Sequence, residues 1–130
     1  MAYLLDTHTI LWSLGQHHKL SEKVRAILED TDSVCYASAI SFFEMAIKKK
    51  TGKLELLYPI SQYYEEVQKI GIQLLTIKPE YLDLYDELPL WDNHRDPFDR
   101  MLVATAIAEN LKVLTIDDKF RLYQAVHAIW

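Results

Sequence analysis

The chain has 130 residues, 50% of them hydrophobic and 25% charged, with three glycines and four prolines. That is the make-up of one compact domain spanning residues 1–130, able to bury roughly two-thirds of the surface its unfolded form exposes without a disulfide or structural zinc. A formal net charge of -5 argues against a broad basic face that holds nucleic acid by charge alone, yet leaves room for an enzyme whose acids hold cations that in turn meet phosphates.

Cys35 is the single cysteine. It excludes an internal disulfide framework and any multi-cysteine zinc motif, and it fits a reducing, cytoplasmic setting. The opening Met1-Ala2-Tyr3-Leu4-Leu5-Asp6 has an acid and no basic stretch before a long apolar run, so it does not read as a signal peptide. No segment approaches the roughly 18 apolar residues of a membrane span.

In chain order, short apolar runs alternate with longer amphipathic ones, the pattern of βα units on a parallel sheet of four or five strands. Ala2 to Leu5 is the first strand, and His8 to Leu14 a helix that stops at Gly15. Ser21 can cap a second helix carrying Val24, Ile27 and Leu28. Val34 to Ala37 is the second strand, and Ser38 precedes an apolar helix through Lys50, which Gly52 is placed to end. Tyr63, Tyr64, Val67 and Ile70 give another helix before Gly71. Ile72 to Ile77 reads as the third strand, and Pro79 opens a helix with Tyr81, Leu82 and Tyr85. Leu88 to Arg95 is the longest irregular stretch. Asp96-Pro97-Phe98-Asp99 is a strong helix start, an aspartate cap followed by proline at the first turn and an acid three residues after the cap. That helix runs to about Glu109. Lys112 to Ile116 is the fourth strand, a short helix spans Lys119 to Tyr123, and Val126 to Trp130 adds an edge strand.

Four acids stand out against this frame, because open parallel sheets gather reacting groups at the carboxyl ends of their strands. Asp6 and Asp117 each follow an apolar strand. Glu44 lies among apolar residues on both sides, where an ionised side chain is rarely placed without a partner. Asp99 opens an otherwise apolar helix. Brought together at one edge, they would repel one another or demand a compensating cation, and hard Mg²⁺ or Mn²⁺ suits an all-oxygen set while leaving room for a phosphate. Simpler roles stand beside this one: Asp96 and Asp99 satisfy a helix N-terminus, Asp117 opens a turn with Asp118, and Asp6 caps the first helix.

In these residues the sequence resembles the PIN domain, and within it the VapC-type toxins of prokaryotic toxin–antitoxin pairs. The resemblance covers essentially the whole chain. It rests on Leu4-Leu5-Asp6-Thr7-His8, on Ser38-Ala39-Ile40-Ser41-Phe42-Phe43-Glu44 with Lys53-Leu54, on the block from His94 to Ala106, and on Leu114-Thr115-Ile116-Asp117. It implies a three-layer α/β/α sandwich with a central, mainly parallel sheet. It also implies a Mg²⁺- or Mn²⁺-dependent endoribonuclease that cleaves single-stranded or structured RNA as the toxin of such a pair. The acidic site maps onto Asp6, Glu44, Asp99 and Asp117, with Asp99 favoured over Asp96 as the ligand and Asp96 left as cap or outer contributor. Thr7 and Thr115 match positions that orient ligands or water, or else bond the local backbone. The resemblance further implies a small cognate antitoxin and a homodimer formed through an apolar face. Tyr63, Tyr64, Tyr81, Tyr85 and Trp91 are available for such contacts, more than half of them serving ordinary helix packing.

Among the basic residues, Lys48, Lys49, Lys50 and Lys53 end the helix that carries Glu44, where cations favour the helix dipole or contact RNA. Arg95 and Arg100 flank the acids and either grip phosphate or pair with surplus carboxylates. The five histidines show no zinc spacing and read as surface residues. Asp6-Thr7-His8-Thr9 resembles in part the D-x-D-x-T nucleophile motif of aspartyl-phosphate phosphatases, but His8 replaces the second aspartate and removes the general acid. A third reading is a catalytically silent PIN-like binding module.

Overall fold

The computed structural model describes residues 1–130. Strand β1 (Ala2–Leu5) passes directly into helix α1 (Thr7–Ser13), since the extended Asp6 between them caps the helix with its own carboxylate. A 3₁₀ turn at His17–Lys19 leads to α2 (Glu22–Glu29), whose cap Ser21 accepts from the Val24 N–H at 3.1 Å. Strand β2 (Val34–Ser38) is followed by α3 (Ala39–Lys50), and here Ser38 plays the capping part, accepting from the Ile40 N–H. Gly52, at φ +76°, turns the chain away beyond α3 in a conformation that a side chain would strain. Next come α4 (Ile60–Lys69), β3 (Gln73–Leu75), α5 (Pro79–Glu87) and α6 (Pro97–Glu109). Strand β4 (Lys112–Leu114), a 3₁₀ turn at Asp118–Leu122 and the short β5 (Ala128–Ile129) complete the chain.

The five strands form one parallel sheet in the order β3-β2-β1-β4-β5. Strand β1 is central: Leu4 stands opposite Tyr36 of β2 on one side and Val113 of β4 on the other. A parallel sheet needs cover on both faces, and the period-two alternation of β1 supplies two separate cores. Tyr3 and Leu5 join Ile10, Val24, Met45 and Val67 beneath α1 to α4. Leu4 points the other way, to Leu102, Val103, Ala106 and Phe120 beneath α6 and the second 3₁₀ turn. This is the three-layer α/β/α arrangement expected from the sequence, with five strands. No helix is long and apolar enough to cross a membrane.

Three strands are shorter than their apolar runs suggest. Strand β3 stops at Leu75, and Ile77 is exposed as the chain bends toward Pro79. Strand β4 stops at Leu114; the Thr115 N–H still donates to the Ile129 carbonyl at 3.1 Å, but Ile116 is exposed and the chain turns at Asp117. Strand β5 keeps only two residues, since Val126 closes a turn with its N–H on the Tyr123 carbonyl. Leu4, fully buried at the centre of β1, carries the packing between sheet and α6. Leu4→Ala is expected to lower unfolding free energy by about 2–5 kcal/mol in urea titrations, whereas Leu57→Ala, at a position 90% exposed, changes it little.

Candidate active site

The connections out of β1 lead first to β2 and β3 on one side, and only later to β4 and β5 on the other. That reversal opens a crevice at the carboxyl ends of β1 and β4. Asp6 sits in it. Its N–H completes the ladder by donating to the Leu114 carbonyl at 3.1 Å, so the backbone fixes where the carboxylate starts. Oδ1 accepts from the Thr7 N–H at 2.6 Å and Oδ2 from the Thr115 hydroxyl at 2.7 Å. Thr115 in turn accepts from the Asp117 N–H at 3.0 Å, joining the two strand-end acids through one hydroxyl.

Glu44 reaches the same place from α3. It lies on the buried face of that helix with Ser41 and Met45, only 3% exposed. Its two oxygens are held apart by different partners: Oε1 accepts from the Thr7 hydroxyl at 2.6 Å and Oε2 pairs with Lys48 one helical turn on, at 2.5 Å. Asp96 caps α6, its Oδ1 accepting from the N–H groups of Phe98 and Asp99 at 2.8 and 3.1 Å. Asp99 is thereby presented from the first turn. A cavity of about 440 Å³ is lined by Asp6, Glu44, Asp96, Asp99 and Asp117, with His8, Lys48, His94, Arg95 and Lys119 around them.

The acids share one electrostatic field. Burial raises the Asp6 carboxyl above its ordinary value, with Glu44 adding to the effect, although its bonds to Thr115 and Thr7 oppose the rise. Asp99 is pushed up to about 8, by burial first and then by the charges of Asp6, Asp96, Glu44 and Asp117. Burial works against the Lys48 ammonium, but Glu44, helped by Asp96 and Asp99, outweighs it and holds the group above its ordinary value.

Most sequence-derived site residues line this cavity, and the hydroxyls of Thr7 and Thr115 donate to Glu44 and Asp6. Asp6, Asp96 and Asp117 each make the capping or turn bonds that were the alternative to a site role, and each also lines the cavity. Arg100 is a correction: it is 3% exposed, donates to the Pro89 carbonyl at 2.7 Å and the Tyr123 hydroxyl at 3.2 Å, and lies over the Tyr85 ring. No RNA phosphate can reach it. Arg95 is exposed at the cavity rim, paired with Asp92 at 2.9 Å. Tyr81 is one of the aromatic residues that serve packing: it is core, with its hydroxyl donating to Glu109 at 2.6 Å.

Sequence reasoning missed His94, Tyr123 and Lys119. His94 is 2% exposed rather than a surface residue, with Nδ1 2.7 Å from the Tyr123 hydroxyl and Nε2 3.5 Å from Asp99 Oδ2. Burial lowers its pKa, against the pull of Asp117 and Asp96. Its setting in Asp92-Asn93-His94-Arg95-Asp96 looks solvated; the nearness of Asp99 in sequence was the only available signal.

The donors suit a hard divalent ion. All are carboxylate oxygens, and the charge accumulated around Asp99 is what a cation would neutralise. No three acidic, imidazole or thiol side chains are gathered tightly enough to cage an ion by themselves. An ion in this cavity would complete its shell with water.

The PIN domain family model matches residues 3–125. Ribonuclease VapC22 of Mycobacterium tuberculosis is 29% identical over 125 residues, 93% of this chain and 91% of that protein. The fold is similar to that in VapBC2 from Rickettsia felis, solved bound to a DNA fragment from their promoter: TM-score 0.67, 16% identity, 99% of this chain and 98% of that one. It is similar also to VapBC-5 of Mycobacterium tuberculosis, a member of the VapBC family of toxin–antitoxin systems, with TM-score 0.62, 17% identity, and 98% and 97% covered.

The elevated Asp99 carboxyl has a consequence for stability. From about pH 4 to pH 8 the metal-free folded protein keeps a proton there that the unfolded chain has released, so this group lowers stability as pH rises through that window. Asp99→Asn is expected to flatten that fall. At pH 8 in chelator it raises the metal-free melting temperature by several degrees, a tenfold change in acidity being worth about 1.4 kcal/mol. Calorimetry across the window checks both effects.

Proposed function

This chain belongs to the PIN-domain family, and we propose that residues 1–130 act as one domain, a Mg²⁺- or Mn²⁺-dependent endoribonuclease. Its substrate is single-stranded or structured RNA, and its role is that of the toxin of a toxin–antitoxin pair in the cytoplasm. The observation that carries this reading is the convergence of Asp6, Glu44, Asp99 and Asp117 on one cavity at the switch point of the sheet. Supporting it are the relative named as a ribonuclease and the likeness of the fold to chains from toxin–antitoxin complexes.

In this reading Asp6, Asp99 and Asp117 would hold the ion, directly or through its waters, and Glu44 would complete its surroundings or orient the attacking water. When bound, such an ion supplies Lewis-acid stabilisation of charge developing on the phosphate and makes water more acidic. Thr7 and Thr115 keep Glu44 and Asp6 in fixed orientations, so their geometry needs no rearrangement as the substrate arrives. Lys48, Arg95 and Lys119 bring positive charge to a cavity that would otherwise repel a polyanion. Lys48 neutralises Glu44 and stands ready for a phosphate oxygen.

A cognate antitoxin that covers this cavity is the inhibitor. A second copy of the chain is assigned to the apolar groove between α3, α5 and α6, lined by Ile40, Phe43, Leu82, Tyr85, Phe98 and Met101. Phe43 and Leu82 there are 57% and 51% exposed in one chain, which fits a covered face better than a solvated one. The silent-module reading has no comparable support, because all four acids are present and aimed at one space.

Purified, inhibitor-free protein is expected to cleave an end-labelled mixed RNA pool with Mg²⁺ or Mn²⁺ and to stop in chelator. Glu44→Gln, with melting temperature checked in parallel, is expected to slow cleavage by about 10²–10⁴-fold. Cleavage that survives chelator, or that Glu44→Gln leaves intact, counts against this site.

A further inference from the structure

Resting on the metal-centre reading above, we infer that His94 and Tyr123 are positioning residues which, with Arg100, form a one-way hydrogen-bond relay that orients Asp99. The inference follows from donor and acceptor chemistry in a dry place. Arg100, His94 and Tyr123 are 3%, 2% and 4% exposed, so water does not complete their bonding.

The direction of the relay is set at its far end. A guanidinium can only donate, so at 3.2 Å the Tyr123 oxygen accepts from Arg100 Nη1. The phenol's own proton then goes to its other near partner, His94 Nδ1 at 2.7 Å. A ring nitrogen that accepts carries no proton, which places the imidazole proton on Nε2. The acceptor that Nε2 faces is Asp99 Oδ2 at 3.5 Å. Each link thus fixes the next, and the last presents a single N–H to one oxygen of the carboxylate. Oδ1 keeps its lone pairs for the cavity. Such outer partners set the orientation of a ligating group and, when removed, typically cost 10–100-fold in metal affinity.

The relay is anchored by packing at its far end. Arg100 also donates to the Pro89 carbonyl at 2.7 Å and stacks on Tyr85, while Trp91 meets the Tyr123 ring edge-on with centroids 4.8 Å apart. Residues 88–95 are therefore clamped onto the start of α6. This segment has little regular structure, yet it delivers the imidazole that faces Asp99.

The test uses full-length protein and Mn²⁺ alone as the probe. In long-range ¹H–¹⁵N spectra of metal-free wild type recorded above pH 8, where the Asp99 carboxyl is ionised and can only accept, His94 is expected as the Nε2–H tautomer, and Tyr123→Phe is expected to mix the tautomers while the ring packing holds the fold. By calorimetric titration, Mn²⁺ dissociation constants are expected to rise about tenfold in Tyr123→Phe and about 10–100-fold in His94→Leu. His94→Gln, which retains an amide N–H toward Asp99, is expected to recover most of the loss. Melting temperatures separate these effects from unfolding. An Nδ1–H tautomer in the wild type, or Mn²⁺ affinity unchanged in Tyr123→Phe, overturns the relay alone. Wild-type protein that binds no Mn²⁺ overturns the metal-centre reading and the relay with it.

Discussion

The molecule is organised around a concentration of negative charge where solvent is scarce. Asp6 and Glu44 are nearly inaccessible, and Asp99 carries only 15% exposure of its side chain. Isolated carboxylates in such a position cost several kcal/mol unless hydrogen-bonded or matched by a cation. The fold answers part of that cost with groups placed for it. A backbone N–H and a threonine hydroxyl serve Asp6, Thr7 and Lys48 serve Glu44, and the His94 ring stands 3.5 Å from Asp99. The remainder appears as the elevated Asp99 carboxyl. In the proposed metal centre, a divalent ion would offset that penalty by matching the same charge.

The parallel sheet makes this arrangement cheap to position. Asp6 and Thr115 each emerge one residue past adjacent parallel strands and Asp117 three residues past, so strand register brings Asp6 and Thr115 together and the Thr115 hydroxyl ties in Asp117. Helix α6, with Met101 through Ala106 all buried, can be threaded in only one way across the face below, and its first turn then falls beside the strand ends. The proline and aspartate at its start set where that turn begins. Glu44 needs a different device: a single polar position on the buried stripe of α3, with a lysine one turn later to share the charge.

What was legible in the sequence follows from which signals are local. Caps, turns and apolar period are local, so Ser21, Ser38, Pro79 and Asp96 mark their helices correctly, and the strand-end position of Asp6 and Asp117 is visible in the primary structure. Burial of Glu44 shows in its apolar neighbours. The fates of His94 and Arg100 are not local. His94 lies in a polar stretch and Arg100 is a charge at the start of an apolar helix, and both are buried where residues 88–95 meet α6 and Tyr123. Strand ends at Leu75 and Leu114 were overestimated for a related reason: β-branched composition reports the fit to a sheet, while the turn toward Pro79 and the pull of Asp6 on Thr115 are tertiary.

The claim that the acids form one metal centre is tested most directly by diffraction at the manganese edge from crystals soaked in Mn²⁺. The account predicts an anomalous peak in the cavity bounded by Asp6, Asp99, Asp117 and Glu44, within coordination distance of at least one of the strand-end aspartates and of Asp99. A cavity without such a peak in well-diffracting, Mn²⁺-saturated crystals, or a peak held only by other residues, would contradict it.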